Sequence, residues 1–277
     1  MHRTARRCAV VGSPVGHSLS PALHRAAYTE LGLDWTYDAC EVREADLAEF
    51  LDSLDASWRG LSLTMPLKRS VVPLVDELSD RARQAQAANT LIIEDGRRVA
   101  HNTDIPGAAR AITAKVRTPI ARAVILGGGA TATSSVLALA DLGCREITLV
   151  VRDSGRAEQA VAAAGRHPQR PDLVVAEFNA APGEADLLVS TIPASAQIEL
   201  ALSWAERVRA IFDVIYDPWP TPLARFATAG GIPLVSGLDL LVNQAADQLT
   251  LMTGVADVPV QVMREAGERL LAERHSG

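Results

Sequence analysis

Lysine is almost missing from this chain. Of 27 basic residues in 277, two are lysines, Lys68 and Lys115, and arginine supplies the rest. GC-rich coding, which exchanges Lys for Arg and enriches Ala, accounts for the bias. Cysteine is scarce too. Cys8, Cys40 and Cys144 lie far apart, without a C-x-x-C or His/Cys cluster. That argues against a disulfide scaffold or structural zinc and fits a reducing cytoplasm. Each cysteine reads as a small buried hydrophobe. No apolar run approaches the roughly 18–20 residues of a membrane span. The short apolar run after the basic Met1–Arg7 segment is too brief for a signal peptide. A cytoplasmic protein without a membrane partner is the expectation. Net charge is −6, which argues against nucleic acid as a partner, since phosphate neutralisation needs clustered Lys and Arg. Neither H-E-x-x-H nor G-x-S-x-G is present, so neither a metal nor a serine hydrolase is expected. His2, His167 and His275 read as solvated.

What is present is enough apolar material, 48% of residues, for well-filled cores rather than disorder. Short apolar strands alternate with helical patterns, the rhythm of an α/β protein. In the first part, strand Cys8–Val11 precedes a helix Pro21–Leu31, with Ser20 as its N-cap and Gly32 as its stop. Strands Thr36–Val42 and Gly60–Thr64 follow, and Asp95-Gly96 joins two strands as a hairpin. The pattern restarts at strand Ala121–Leu126, and the last forty residues read as helices Leu238–Met252 and Val260–Arg274. The expected architecture is a two-domain α/β fold. Residues 1–104 plus 237–277 form an N-terminal mixed α/β substrate domain closed by the C-terminal helices. Residues 105–236 form an inserted Rossmann-like dinucleotide-binding domain.

The segment Ala123–Ala132 reads strand, Gly127-Gly128-Gly129-Ala130, helix: a G-x-G-x-x-A turn. The first glycine allows the tight turn, and the second lets main chain approach a pyrophosphate. Ala132 permits close helix–strand packing. The helix N–H groups then face the phosphates. The next strand ends Val151-Arg152-Asp153. A guanidinium there suits a 2′-phosphate, and a charge-assisted hydrogen bond is worth roughly 1.5–3 kcal/mol. Arg152 therefore favours NADP, while Asp153 is the kind of group that holds the 2′-hydroxyl of NAD.

Four segments concentrate small polar groups at strand ends: Gly16–Pro21 with Ser18 and Ser20, Ser62–Lys68 with Thr64, Ala87–Thr90 with Asn89, and His101–Asp104. Open α/β sheets bind ligands at strand ends. This set suits a small molecule bearing hydroxyls and a carboxylate.

These motifs, with Asp213–Pro218 and Gly237–Gln244, run in order through almost the whole chain, which resembles the shikimate dehydrogenase family. The resemblance implies reversible reduction of 3-dehydroshikimate to shikimate with NADPH, on the route to chorismate and the aromatic amino acids. It matches Lys68 and Asp104 to the catalytic pair. Ser18, Ser20, Thr64, Asn89, Tyr216 and Gln244 match substrate contacts. Gly127, Gly129, Ala130 and Arg152 match dinucleotide contacts, and Thr191 and Gly237 fall where the nicotinamide end belongs. Three positions depart from the family: Ser62 and Arg25, where Asn is frequent, and Val151-Arg152-Asp153, where Asn-Arg-Thr is frequent. In the implied mechanism Lys68 protonates the nascent alkoxide, while Asp104 binds the neighbouring hydroxyl and holds Lys68. Ser18 and Ser20 at a helix N-terminus suit the carboxylate. Two alternatives stay open: an NAD-dependent quinate/shikimate dehydrogenase, and a catalytically silent shikimate- or NADP-binding regulator. A homodimer is compatible with this reading.

Overall fold

The computed structural model describes residues 5–181 and 183–276. Two compact units emerge: Met1–Thr103 with Val242–Gly277, and Asp104–Leu241.

In the first unit the apolar runs form a six-stranded mixed sheet. Its strands are β1 (Arg6–Gly12), β2 (Trp35–Glu41), β3 (Trp58–Leu63), β4 (Glu77–Leu78), β5 (Thr90–Glu94) and β6 (Arg97–His101), in the order β2-β1-β3-β5-β6-β4. β1 pairs parallel with both β2 and β3. A parallel neighbour needs a crossover, and α1 (Ser20–Glu30) supplies the one from β1 to β2. β5 and β6 pair antiparallel across the Asp95–Gly96 turn, as their sequence predicts. Short helices α2 (Leu47–Asp52), α3 (Leu67–Ser70) and α4 (Asp80–Ala85) fill the connections. Leu61, Leu67 and Leu91 are wholly buried in one apolar cluster, and each stabilises the fold by roughly 1.5–3 kcal/mol.

The second unit is a six-stranded parallel sheet. Its strands are β7 (Arg122–Leu126), β8 (Glu146–Val151), β9 (Asp172–Glu177), β10 (Ala185–Ser190), β11 (Val208–Asp213) and β12 (Leu234–Val235). The order β12-β11-β10-β7-β8-β9 is that of a doubly wound dinucleotide fold. The helices are α5 (Asp104–Lys115), α6 (Ala130–Asp141), α7 (Glu158–Arg166), α8 (Ala194–Leu200), α9 (Leu202–Ala205) and α10 (Pro222–Gly230). The run Leu187–Val189 is fully buried, as a strand covered on both faces requires. The chain returns to the first unit along α11 (Gly237–Thr253). Ser236 and Asp239 start that helix reciprocally: the Ser236 N–H donates to the Asp239 carboxylate at 2.9 Å, and the Asp239 N–H to Ser236 Oγ at 3.1 Å. The final helix, α12 (Val260–Ser276), packs along α1.

Two local expectations change. Ser20 is not a cap: it lies inside α1, and the capping position is Leu19. The Ser20 N–H is satisfied instead by Ser18 Oγ at 3.2 Å. His167 is not solvated: it is 4% exposed, and its Nε2 lies 3.0 Å from Asp141 Oδ1. It ends α7, and the carboxylate on neighbouring α6 draws the ring inward. His2 and the side chain of His275 lie outside the described residues.

Candidate active site

In the first unit β1 and β3 end side by side. Val11 pairs with Leu63, and the Thr64 N–H donates to the Val11 carbonyl at 2.9 Å. The chain turns through Met65–Pro66 into α3, where Lys68 is half-buried. The Lys68 carbonyl accepts from the Ala88 N–H at 2.7 Å, and the Asn89 carbonyl accepts from the Leu63 N–H at 2.7 Å. These bonds make one surface of Ser62–Lys68 and Ala87–Thr90, segments separate in sequence. The Ser13 N–H donates to the Met65 carbonyl at 3.0 Å, tying the loop that leads to Ser18 and Ser20 to the Thr64 turn. Gln244, on α11, joins from the other end of the chain: its Oε1 accepts from Asn89 Nδ2 at 3.0 Å and from the Thr103 hydroxyl at 3.4 Å. Five of the predicted substrate contacts, Ser18, Ser20, Thr64, Asn89 and Gln244, therefore belong with Lys68 to one unit. Ser20, Asn89 and Gln244 are buried, and Ser18 and Thr64 half-buried.

Beneath Ser20 lies His24. Its Nδ1 donates to the Ser20 carbonyl at 2.9 Å, and its ring stacks on Tyr37 at 4.0 Å. Burial, which penalises the imidazolium, lowers its pKa to about 4. Burial likewise pushes the Tyr37 hydroxyl above its ordinary range, against its hydrogen bonds with Ser62 and Ser20. Arg25 ties α1 to the sheet: its Nε donates to the Tyr37 carbonyl at 2.7 Å.

The remaining predicted residues fall in the second unit. Asp104 opens α5 and is 5% exposed; it directly follows Thr103, whose N–H donates to Asn89 Oδ1 at 2.7 Å. Gly127 ends β7 with φ +108°, and a Cβ there would collide with Thr191 Oγ1; only glycine meets both conditions. The Thr191 hydroxyl donates to the Leu126 carbonyl at 2.8 Å, so Thr191 lines the glycine turn. Gly129 caps α6 without a side-chain hydrogen bond. Open space lies beyond its α-carbon. Ala130 opens the helix there, and a helix N-terminus preceded by glycines suits a pyrophosphate. Arg152 is exposed at the end of β8, with its guanidinium 5.7 Å from the Phe178 ring. Asp153 is turned to local use: its Oδ1 accepts from the Gly155 N–H at 3.0 Å. Gly237 lies against the main chain of Val214 and Ile215, one residue from the half-buried Tyr216. Asp213 secures that segment. Its carboxylate accepts from Thr221 Oγ1 at 2.6 Å, Gln197 Nε2 at 3.0 Å and the Ile215 N–H at 3.3 Å. Burial raises its pKa, and these bonds oppose the rise.

Sequence reasoning missed the close approach of Gly128 to the Arg156 carbonyl. It also missed Tyr37 and Gln248. The signal for Gln248 was its place one helical turn after Gln244 on the same face. Among the described residues, no group of three or more His, Cys, Asp or Glu is placed to hold a metal ion, and no helix is long and apolar enough to cross a membrane.

Residues 10–91 match the family model described as the shikimate dehydrogenase substrate binding domain, and residues 237–266 the shikimate 5′-dehydrogenase C-terminal domain. Over 96% of its length, the chain is 35% identical to the shikimate dehydrogenase (NADP(+)) of Moorella thermoacetica, covering 92% of that protein. The chain belongs to the shikimate dehydrogenase family. Its fold agrees: the crystal structure of Mycobacterium tuberculosis shikimate dehydrogenase superimposes with a TM-score of 0.86 at 37% identity, covering 95% of this chain and 99% of that one. The Thermus thermophilus shikimate 5-dehydrogenase, solved in complex with shikimate, gives 0.82 at 32% identity, covering 96% and 99%. In this shikimate dehydrogenase family member the strand-end polar residues lie on the first sheet and the glycine turn on the second.

Proposed function

We propose that this chain catalyses the reversible, NADPH-dependent reduction of 3-dehydroshikimate to shikimate, a cytoplasmic step of aromatic amino acid biosynthesis. The supporting observation is the clustering of Thr64, Lys68, Asn89 and Gln244, from distant parts of the sequence, at the strand ends of the first unit. The first unit is the substrate domain of this reading, and the second the NADP domain.

Bound NADPH supplies the hydride. Lys68 donates a hydrogen bond, then a proton, to the carbonyl oxygen as it becomes an alkoxide. That interaction is strongest in the transition state, as catalysis requires. Asp104 accepts from the adjacent hydroxyl and fixes the ring. Ser18 and Ser20 receive the carboxylate at the N-terminus of α1, where the helix dipole favours an anion. Thr64, Asn89 and Gln244 hold ring hydroxyls, and Tyr216, on the segment after β11, is a further substrate contact. Gly127, Gly129 and Ala130 hold the pyrophosphate, Arg152 the 2′-phosphate, and Thr191 and Gly237 the nicotinamide end. Asp153, occupied by Gly155, leaves Arg152 to set the preference for NADP.

The test is a matrix of shikimate and quinate against NADP+ and NAD+, read as kcat/KM at the nicotinamide absorbance. Shikimate with NADP+ should exceed every other pair. Preference for quinate with NAD+ would replace the reading, and substrate binding without turnover would make the chain a binder.

A further inference from the structure

Three buried side chains outside the catalytic set form a hydrogen-bonded chain that ends on it. The Tyr37 hydroxyl donates to Ser62 Oγ at 2.5 Å, and Ser62 donates to Gln248 Oε1 at 2.8 Å. The amide nitrogen of Gln248 donates to the Asn89 carbonyl at 3.0 Å and to Thr90 Oγ1 at 3.1 Å. With that bond accepted, the Thr90 hydroxyl donates to Asn89 Oδ1 at 3.0 Å. Asn89 Oδ1 also accepts from the Thr103 main-chain N–H, a group that can only donate. The Asn89 amide therefore has one orientation, and its Nδ2 donates to Gln244 Oε1. Tyr37, Ser62, Asn89, Thr90, Gln244 and Gln248 are all at least nine-tenths buried. Water does not replace a lost partner there, and reversing one amide would set donor against donor.

We propose that Gln248 is a positioning residue. Together with Ser62 and the Thr103 main-chain N–H it holds the polarity of the Asn89–Gln244 pair, Gln248 acting through the Asn89 carbonyl and the Thr90 hydroxyl, so that Gln244 turns N–H donors, and not its carbonyl, to a substrate ring hydroxyl. This rests on the reading of Gln244 as a ring contact. It also gives Ser62 a role of its own. The short hydroxyl at this position, where family members often carry Asn, is spanned from α11 by the longer Gln248.

The experiment is a double-mutant cycle in the full-length protein, with shikimate and NADP+ as substrates. Gln248→Met keeps the volume and removes the donors. It should raise the KM for shikimate about three- to tenfold, the worth of one hydrogen bond, with kcat and the KM for NADP+ nearly unchanged. In a Gln244→Ala background the same change should add nothing, because both act through one contact. Ser62→Ala, a smaller perturbation that leaves Gln248 in place, should couple to Gln244→Ala in the same way and serves if Gln248→Met does not fold. Multiplying KM effects in the double variants, or an unchanged KM in folded Gln248→Met, would overturn the proposal. An inactive wild type would overturn the functional reading itself, and this proposal with it.

Discussion

In the proposed reaction an oxygen becomes an alkoxide while it is held, and Lys68 must give it a proton. A guanidinium is too broad and too basic for that task. Arginine serves wherever charge alone suffices, which gives one of the two surviving lysines a chemical reason. Lys68→Ala should lower kcat by about 10²–10⁴-fold, the usual worth of a positioned acid, with only a modest change in KM. Steady-state kinetics checks this, and a large KM effect at constant kcat would make Lys68 a binding residue. Arg152→Ala should raise the KM for NADP+ about tenfold or more, one to two charge-assisted bonds' worth, and leave that for NAD+ unchanged. His24 sets a pH limit. Its folded pKa, about 4, lies below the ordinary 6.5, so the unfolded chain takes up the proton first. Its contribution is intact above about pH 6.5 and is lost as pH falls toward 4. The loss is on the order of 3 kcal/mol. Urea unfolding between pH 7 and 5 should show this slope, and His24→Gln should flatten it. A single residue was legible where backbone geometry restricts the choice, as at Gly127. Ser20 and Asn89 were legible as polar groups, but their partners were not. Whether a serine caps a helix or receives another hydroxyl depends on what a distant strand brings beside it.

Among the elements, the glycine turn carries the sharpest constraint. A Cβ on Gly128 would meet the Arg156 carbonyl and its neighbouring carbons. Main chain cannot yield as a flexible side-chain tip does, so the turn or the segment after β8 must shift. Gly128→Ala should therefore raise the KM for NADP+ by tenfold or more while leaving substrate binding by the first unit unchanged. Isothermal titration of each ligand alone would separate the two effects. Long amphipathic helices and the hairpin were visible in the sequence because periodicity and turn chemistry agree there. The strand β4, two residues long, and the short helices α3, α4, α8 and α9 were not. Each is too brief for its period to show, and contacts with the sheet, not propensity, stabilise it. α10 was hidden by the prolines of 217–222, although Thr221 caps it with a hydroxyl accepting from the Ala224 N–H at 3.0 Å.

For the molecule as a whole, each unit has its own sheet, and the first is made from both ends of the chain. Removing residues 254–277 would strip α12 from α1 and uncover the side of α1 that it packs against. Such a truncated chain should lose shikimate binding while retaining binding of NADP+, measurable by quenching of protein fluorescence; loss of both together would show that the second unit depends on the first. The same discontinuity gives the protein a timetable. On the ribosome the opening 103 residues emerge early, yet the part of α11 from Val242 onward, and α12, follow only after residues 104–241 have been made. At about 5–20 residues per second, that interval lasts roughly 10–30 s. The second unit is complete before the first can close, so the Asn89–Gln244 hydrogen bond forms only after the whole second unit has been made. During that wait the uncovered face of α1 is a natural client for chaperones and a target for proteases.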